Sequence, residues 1–142
     1  MRIGIDLGGT KTEAILMSDT GEILQRLRYP TPQDDGYVAI LDNIAALVSE
    51  LETHAAKPCR IGIGTPGSLS PDNGLLRNSN TVCMNGKPLL ADLQGLVQRD
   101  IRIANDANCF ALSEAVDGAA RGAGTVFGVI IGTGTGGGVV IN

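Results

Sequence analysis

The sequence predicts an α/β fold: a mixed five-stranded sheet with flanking helices, in the order β-β-β-α-β-α-β-α. Three observations support this prediction. Apolar strand-like segments open the chain, an amphipathic helix follows them, and two further strand-helix pairs come after that helix. The chain has 142 residues, which is long enough to bury a core within one domain.

The first three strands are expected near residues 2–7, 12–18 and 22–28, and a loop containing proline and glycine follows them. The first helix is predicted next, ending near Ala56, because its apolar residues recur every three or four positions and form one stripe that can pack on a sheet. That stripe consists of Val38, Leu41, Ile44, Ala45, Val48 and Leu51.

A fourth strand is expected at 60–64, followed by a small hairpin at 69–76 that turns at Asp-Asn-Gly, and by a short helix at 89–97. The fifth strand, at 101–104, leads into a helix over 106–116. This helix completes the predicted sheet and its flanking layers.

A glycine-rich hairpin near the amino terminus has the composition of a phosphate-binding turn. Its glycines allow the backbone to turn tightly and point N–H groups at an anion, and its hydroxyl and ammonium groups add donors. A Walker A loop is excluded because no glycine directly precedes Lys11 and a strand follows it. An ordinary glycine-containing hairpin is the alternative. The candidate phosphate-binding residues are Gly8, Gly9, Thr10, Lys11 and Thr12.

A second glycine-rich turn, at 132–138, again separates two apolar strands and follows a linker at 118–124. It formally fits the dinucleotide pattern, but that pattern must open a helix, and β-branched residues follow here instead. Two such hairpins suggest that phosphate is held from both sides. The candidates in this hairpin are Gly132, Thr133, Gly134, Thr135 and Gly136.

Composition argues against several classes of partner. The chain carries 11 basic and 15 acidic residues, a net charge of −4, and only 3% aromatic residues, so nucleic acid is not expected as a partner. No apolar run is long enough for a membrane span, and no signal segment precedes the first strand. The three cysteines form no C-x-x-C pair, so we expect buried thiols, a reducing compartment and a cytoplasmic location.

Four motifs in order carry a family resemblance: Asp-Leu-Gly-Gly-Thr-Lys at 6–11, Gly-Thr-Pro-Gly at 64–67, Asn-Asp-Ala-Asn at 105–108 and the glycine-rich turn at 132–138. Together they resemble the ROK family of bacterial sugar kinases and related repressors. The segments at 78–80, 104–109 and 113–118 look closest to the fructokinase, or manno(fructo)kinase, branch.

The resemblance implies a ribonuclease H-like lobe of the actin-like ATPase superfamily over residues 1–118. Residues 119–142 would then be the opening hairpin of a second lobe, truncated here, and this fragment alone is expected to be inactive. The family also implies Mg-ATP, a structural zinc whose ligands lie outside this chain, and a homodimer of the full-length protein.

Asp106 is the candidate general base. It opens a helix, where the positive end of the helix dipole favours an ionised carboxylate that can accept a hydrogen bond from a sugar hydroxyl. Helix capping is the alternative from spacing alone, and the resemblance implies the base role. Asn105 can donate and accept at once, which suits vicinal hydroxyls. Asp6 is placed to hold magnesium through water.

Gly67, Ser68 and Asn80 match positions that contact sugar in members of the family, although a plain turn and a solvated loop are the alternatives for these segments. The expected function is therefore ATP-dependent phosphorylation of a hexose at its 6-hydroxyl, with fructose favoured. Glucose, mannose and N-acetylhexosamines are the alternative acceptors. A sugar-sensing ROK transcriptional regulator and an actin-like ATPase without a sugar site are the alternative classes.

Overall fold

The computed structural model describes residues 1–131 and 135–141. A five-stranded mixed sheet has the order β3-β2-β1-β4-β7, with β1, β4 and β7 parallel and β2 and β3 antiparallel to their neighbours. The strands of this sheet are β1 (Arg2–Leu7), β2 (Lys11–Met17), β3 (Ile23–Pro30), β4 (Arg60–Thr65) and β7 (Ile101–Asn105).

The remaining elements are the short hairpin strands β5 (Ser68–Leu69) and β6 (Leu76–Arg77), the helices α1 (Tyr37–Glu52), α2 (Leu89–Val97) and α3 (Asp106–Val116), and the carboxyl-terminal strands β8 (Thr125–Ile131) and β9 (Thr135–Ile141). The predicted fold class and element order are thus confirmed.

One face of the sheet carries the core. Alternate residues of β1 point to the same face, so Ile3, Ile5 and Leu7 are buried together. Helix α1 covers them with Ile44, Leu51 and other buried residues of the predicted apolar stripe, whereas Val38, in the first turn of the helix, is exposed contrary to that prediction. Helix α2 packs beside α1, where the Tyr37 hydroxyl donates to Asp92 at 2.7 Å. Because α1 and α2 cover this face, the ends of the sheet strands are held in fixed positions.

Two details differ from the sequence-based expectation. Helix α1 ends at Glu52 rather than near Ala56, because the next residues turn with i to i+3 bonds, such as that from the Thr53 N–H to the Glu50 carbonyl. Cys59 is buried, as expected for all three cysteines, but Cys83 is half-buried and Cys109 is exposed.

Strands β8 and β9 form a separate two-stranded sheet that packs on α3. Glycines make this packing close: a Cβ added at Gly138 would lie 2.5 Å from the Ala107 carbonyl oxygen, and one at Gly128 would lie 3.0 Å from the Ala111 Cβ. Helix α3 therefore sits between the five-stranded sheet and the hairpin. The proposed lobe boundary between residues 118 and 119 stays a prediction.

Truncating the buried stripe of α1 should destabilise the fold. Leu47 is fully buried, so we expect Leu47→Ala to lower the free energy of unfolding by about 2–5 kcal/mol. The control Val38→Ala removes a side chain that is 66% exposed and should change it by no more than about 0.5 kcal/mol. Urea unfolding of both variants measures the difference, and equal losses would contradict the packing described here.

Candidate active site

Parallel pairing brings three of the four sequence motifs to one edge of the sheet. Asp6 on β1 pairs with Gly64 on β4, and Thr65 pairs with Asn105 on β7. The carboxyl ends of parallel strands meet at the same edge, so the loop after β4 and the start of α3 lie side by side. A Cβ added at Gly64 would lie 3.7 Å from the Cα of Asp106, which shows how closely the two segments approach.

A cleft of about 680 Å³ opens at this edge. All five predicted sugar-binding residues line it, which are Gly67, Ser68, Asn80, Asn105 and Asp106. Thr135 and Gly136 of the second glycine hairpin line it as well. Asn78 and Asn108 also line the cleft and were not predicted; their positions inside the matched asparagine-rich segments were the available signal. The roles of all these residues stay predictions.

Helix capping and proton acceptance are the two interpretations of Asp106. Asn105 is the N-cap of α3, since its Oδ1 accepts a hydrogen bond from the Asn108 N–H at 3.2 Å. Asp106 is the first helical residue, and its Oδ1 accepts from the Ala107 N–H at 2.7 Å. Its other carboxylate oxygen has no hydrogen-bond partner within residues 1–131 and 135–141. Asn105 is therefore the N-cap residue, Asp106 bonds one first-turn N–H with a single carboxylate oxygen, and the role of Asp106 as the base stays a prediction.

The loop that carries Gly67 packs closely against a neighbouring segment in the wall of the cleft. Gly67 has a φ of +84°, and a Cβ there would overlap the Arg77 carbonyl oxygen and lie 2.8 Å from the Ser79 nitrogen. Ser79 is itself fixed by Asn85, which accepts from the Ser79 N–H and donates to its carbonyl, both at 2.9 Å. The two walls formed by the Gly67 loop and the segment before Asn80 are thus held together by backbone contact.

Asp6 lies on the face of the sheet opposite the core, beside a second cavity of about 790 Å³ that Asp106 also lines. Partial burial raises the pKa of Asp6, the neighbouring Asp106 and Glu13 carboxylates raise it further, and Lys11 lowers it. A cation bound beside Asp6 would offset the negative charge that its carboxylate neighbours place there. Asp6 therefore fits the predicted role of holding magnesium through water, which stays a prediction.

The first glycine hairpin is tight, with the Gly8 N–H donating to the Lys11 carbonyl at 3.0 Å. Gly9, Thr10 and Lys11 are not fully buried, as a role in phosphate binding requires. Thr12 is different: its side chain is fully buried and its hydroxyl lies 2.8 Å from that of Thr31. Its position on β2 alternates onto the core face, so the Thr12 hydroxyl is not exposed to a phosphate group, and the role of Thr12 in phosphate binding stays a prediction.

Thr31 was missed by sequence reasoning. Its hydroxyl donates to the Gly8 carbonyl at 2.7 Å and accepts from Thr12, while its N–H donates to the Thr10 carbonyl at 3.0 Å. The residue therefore fixes the hairpin from the loop after β3. A threonine between two prolines carries no signal of this kind in the sequence.

Three predicted phosphate-binding residues, Gly132, Thr133 and Gly134, lie outside the described residues. Within residues 1–131 and 135–141, no group of three or more His, Cys, Asp and Glu side chains is arranged to hold a metal ion. In the same part of the chain, no helix is long and apolar enough to cross a membrane.

Comparison with known proteins gives the family. The model of the ROK family matches residues 2–142, and the chain belongs to this family. An N-acetyl-D-glucosamine kinase of Yersinia pestis is 43% identical over 142 residues, which is 100% of this chain and 55% of that protein. The enzyme of the same name from Escherichia coli O127:H6 is 45% identical over 143 residues, covering 100% of this chain and 46% of its own. The chain thus spans about half the length of these curated relatives.

The structure of a ROK family glucokinase from Streptomyces griseus, in complex with glucose and AMPPNP, superposes with a TM-score of 0.87. The two chains are 30% identical, and the match covers 99% of this chain and 44% of the glucokinase. The fold is therefore that of an actin-like ATPase lobe, as the motifs predicted.

The space around Gly67 should tolerate no side chain. Gly74, in the turn between β5 and β6, also has a positive φ, +72°, but a Cβ there meets nothing within 4 Å. Gly74→Ala should therefore lower the free energy of unfolding by only the strain of a left-handed residue, about 1–2 kcal/mol. Gly67→Ala should lower it by about 1–3 kcal/mol more, because the backbone must also move. Equal losses of unfolding free energy in the two variants, measured by urea unfolding, would contradict the close packing of the Gly67 loop.

The raised pKa of Asp6 should affect how the free energy of unfolding depends on pH. A carboxyl whose pKa is raised in the folded state makes stability fall as pH rises from its ordinary pKa, 3.8, through the raised one. We expect Asp6→Asn to remove this fall, whereas Asp72→Asn, an exposed residue of the β5–β6 turn, should leave it in place. Urea unfolding across pH measures the slope, and an unchanged slope in Asp6→Asn would refute this account.

Proposed function

We propose that the intact protein transfers the γ-phosphoryl group of ATP to the 6-hydroxyl of a hexose, with N-acetyl-D-glucosamine as the preferred acceptor and Asp106 as the general base. The observation that carries this proposal is the position of Asp106: Asn105 takes the N-cap position of α3, and Asp106 lines a cleft with four other predicted sugar-binding residues. Membership of the ROK family supports the reaction class.

Different residues of the chain have different roles in the proposed phosphoryl transfer. Asp106 accepts the proton of the sugar hydroxyl while that oxygen forms a bond to the γ-phosphorus. The bond from phosphorus to the β,γ-bridging oxygen breaks, and its electron pair leaves with ADP. The Gly67 loop and Asn80 orient the sugar. The two glycine hairpins present backbone N–H groups to the phosphates. Asp6 would hold Mg²⁺ through water, and the ion would neutralise phosphate charge.

Comparison with the relatives changes which sugar we propose as the preferred acceptor. The sequence motifs favoured fructose, but the relatives reported above are named N-acetyl-D-glucosamine kinases, which agrees with the N-acetylhexosamine alternative. Their names as kinases also favour catalysis over the regulator alternative. The homodimer and the structural zinc implied by the family stay predictions.

A panel of hexoses tests the proposal. The intact protein is assayed with Mg-ATP and N-acetylglucosamine, N-acetylmannosamine, glucose, mannose or fructose, and ADP release is measured. We expect the highest kcat/KM with N-acetylglucosamine. A preference for fructose would restore the acceptor that the motifs suggested, and ADP release that no sugar stimulates would refute the kinase proposal.

Loss of the base should affect turnover rather than nucleotide binding. Asp106→Asn keeps the shape of the side chain, and we expect kcat to fall by about a hundredfold or more while the Kd for ATP changes little. Asp117→Asn, at the opposite end of α3, is the matched control and should keep normal kcat. Near-normal turnover in Asp106→Asn would mean that another group takes the proton.

A further inference from the structure

We propose that Thr81 is a positioning residue for the first glycine hairpin, because its buried hydroxyl faces Gly9 and donates a hydrogen bond to the Gly9 carbonyl when the hairpin binds phosphate. The inference rests on the proposed function, in which this hairpin holds the phosphates of ATP. It assigns a role to a residue that follows the predicted sugar ligand Asn80 and is itself buried.

The hydroxyl of Thr81 is the only polar group of this residue that lacks a partner in the described part of the chain. The Thr81 N–H donates to the Ser79 hydroxyl at 3.1 Å, and the Thr81 carbonyl accepts from the Met84 N–H at 3.1 Å. The side chain is buried, since the residue is only 1% exposed, and Oγ1 has no hydrogen-bond partner within residues 1–131 and 135–141. Buried polar atoms are nearly always hydrogen-bonded, so this exception calls for a partner.

The hydroxyl lies against the turn of the first glycine hairpin. A Cβ added at Gly9 would lie 3.4 Å from Thr81 Oγ1. Thr31 fixes the carbonyls on either side of this position, those of Gly8 and Thr10. The peptide group between Gly9 and Thr10, by contrast, has no hydrogen-bond partner within the ranges that the structure describes. This peptide group is therefore the part of the turn that remains free to rotate.

The geometry of a peptide group connects phosphate binding to Thr81. The N–H and the carbonyl of a trans peptide point in opposite directions. When the Thr10 N–H points outward at a phosphate oxygen, the Gly9 carbonyl points inward, where the Thr81 hydroxyl can donate to it. Glycine permits the rotation that this change requires. Binding of phosphate therefore supplies the partner that the buried hydroxyl lacks.

The same segment joins the hairpin to the sugar-binding wall. Asn80 lines the cleft and is followed directly by Thr81. Two residues further on, the Cys83 thiol donates to the Gln33 carbonyl at 3.8 Å, in the loop that begins with Thr31. The phosphate hairpin and the cleft are thus in contact through the segment that follows β6, and Thr81 is the residue of that segment that faces the turn.

Thr81→Val tests whether the hydroxyl lacks a partner in the free protein. Valine keeps the shape of threonine and replaces the hydroxyl with a methyl group, so we expect the urea midpoint of the nucleotide-free intact protein to rise, by about 0.2–0.5 M. Thr53→Val is the control, because the Thr53 hydroxyl has a partner, the Glu50 carbonyl at 2.7 Å, and its removal should not raise the midpoint. An unchanged or lower midpoint in Thr81→Val would overturn the proposal.

Nucleotide binding should change in the opposite direction to stability. We expect Thr81→Val to raise the Kd for Mg-AMPPNP by about threefold to tenfold, the loss of one hydrogen bond, and to leave the Kd for N-acetylglucosamine unchanged. Thr81→Ser keeps the hydroxyl and should retain a nearly normal Kd for the nucleotide, as should Thr53→Val. Calorimetric titration measures both constants.

The outcomes separate this inference from the proposed function. An unchanged Kd for Mg-AMPPNP in Thr81→Val, or an equal loss in Thr81→Ser, would show that the hydroxyl does not support the hairpin and would overturn the inference. A wild-type protein that binds Mg-AMPPNP but phosphorylates no sugar would refute the proposed function alone. A wild-type protein that does not bind this nucleotide would overturn both.

Discussion

The parallel pairing of β1, β4 and β7 is the constraint on which the rest of the structure depends. Its register aligns Ile3 with Ile61, and Ile61 with Ile101, so one face of the sheet becomes continuous apolar surface for α1 and α2 to cover. The same register places the ends of the three strands at one edge. The packing of the core and the geometry of the site therefore depend on the same strand register.

Glycine and alanine residues allow α3 to pack closely against both the five-stranded sheet and the hairpin of β8 and β9. The helix approaches β4 where Gly64 has no side chain, and it approaches β8 and β9 where Gly128 and Gly138 lie against Ala111 and Ala107. The carboxylate at its first residue is thereby placed between the sheet and the second hairpin. This arrangement has an electrostatic cost, because burial and the neighbouring Asp106 carboxylate raise the pKa of Asp6.

The sequence predicted the fold well because its signals were periodic. The apolar stripe of α1 and the alternation of β1 identify their buried faces. The family motifs identify the segments that supply the residues of the cleft. The end of α1 was less predictable, since Thr53 begins a tight turn without a glycine or proline to mark it. The burial of the Thr12 side chain was not predicted, because a motif gives residue types but not the face to which each side chain points.

Hydrogen bonds between segments that are far apart in the chain could not be predicted from the apolar periodicity or from the family motifs. The bond from Asn105 to Gly67 joins residues 38 positions apart, and the bond from Thr31 to Gly8 joins residues 23 positions apart. Each depends on the final packing of two loops rather than on local sequence. These bonds nevertheless support the two segments, the sugar loop and the first glycine hairpin, on which the proposed chemistry depends.

The most direct test of the account is a crystal structure of the intact protein with N-acetylglucosamine and a non-hydrolysable ATP analogue. The account predicts that the sugar lies in the cleft between Gly67 and Asp106, with its 6-hydroxyl about 3 Å from a carboxylate oxygen of Asp106. It also predicts that the phosphates lie between the two glycine hairpins. A sugar bound outside this cleft, or an Asp106 carboxylate turned away from the hydroxyl, would contradict it.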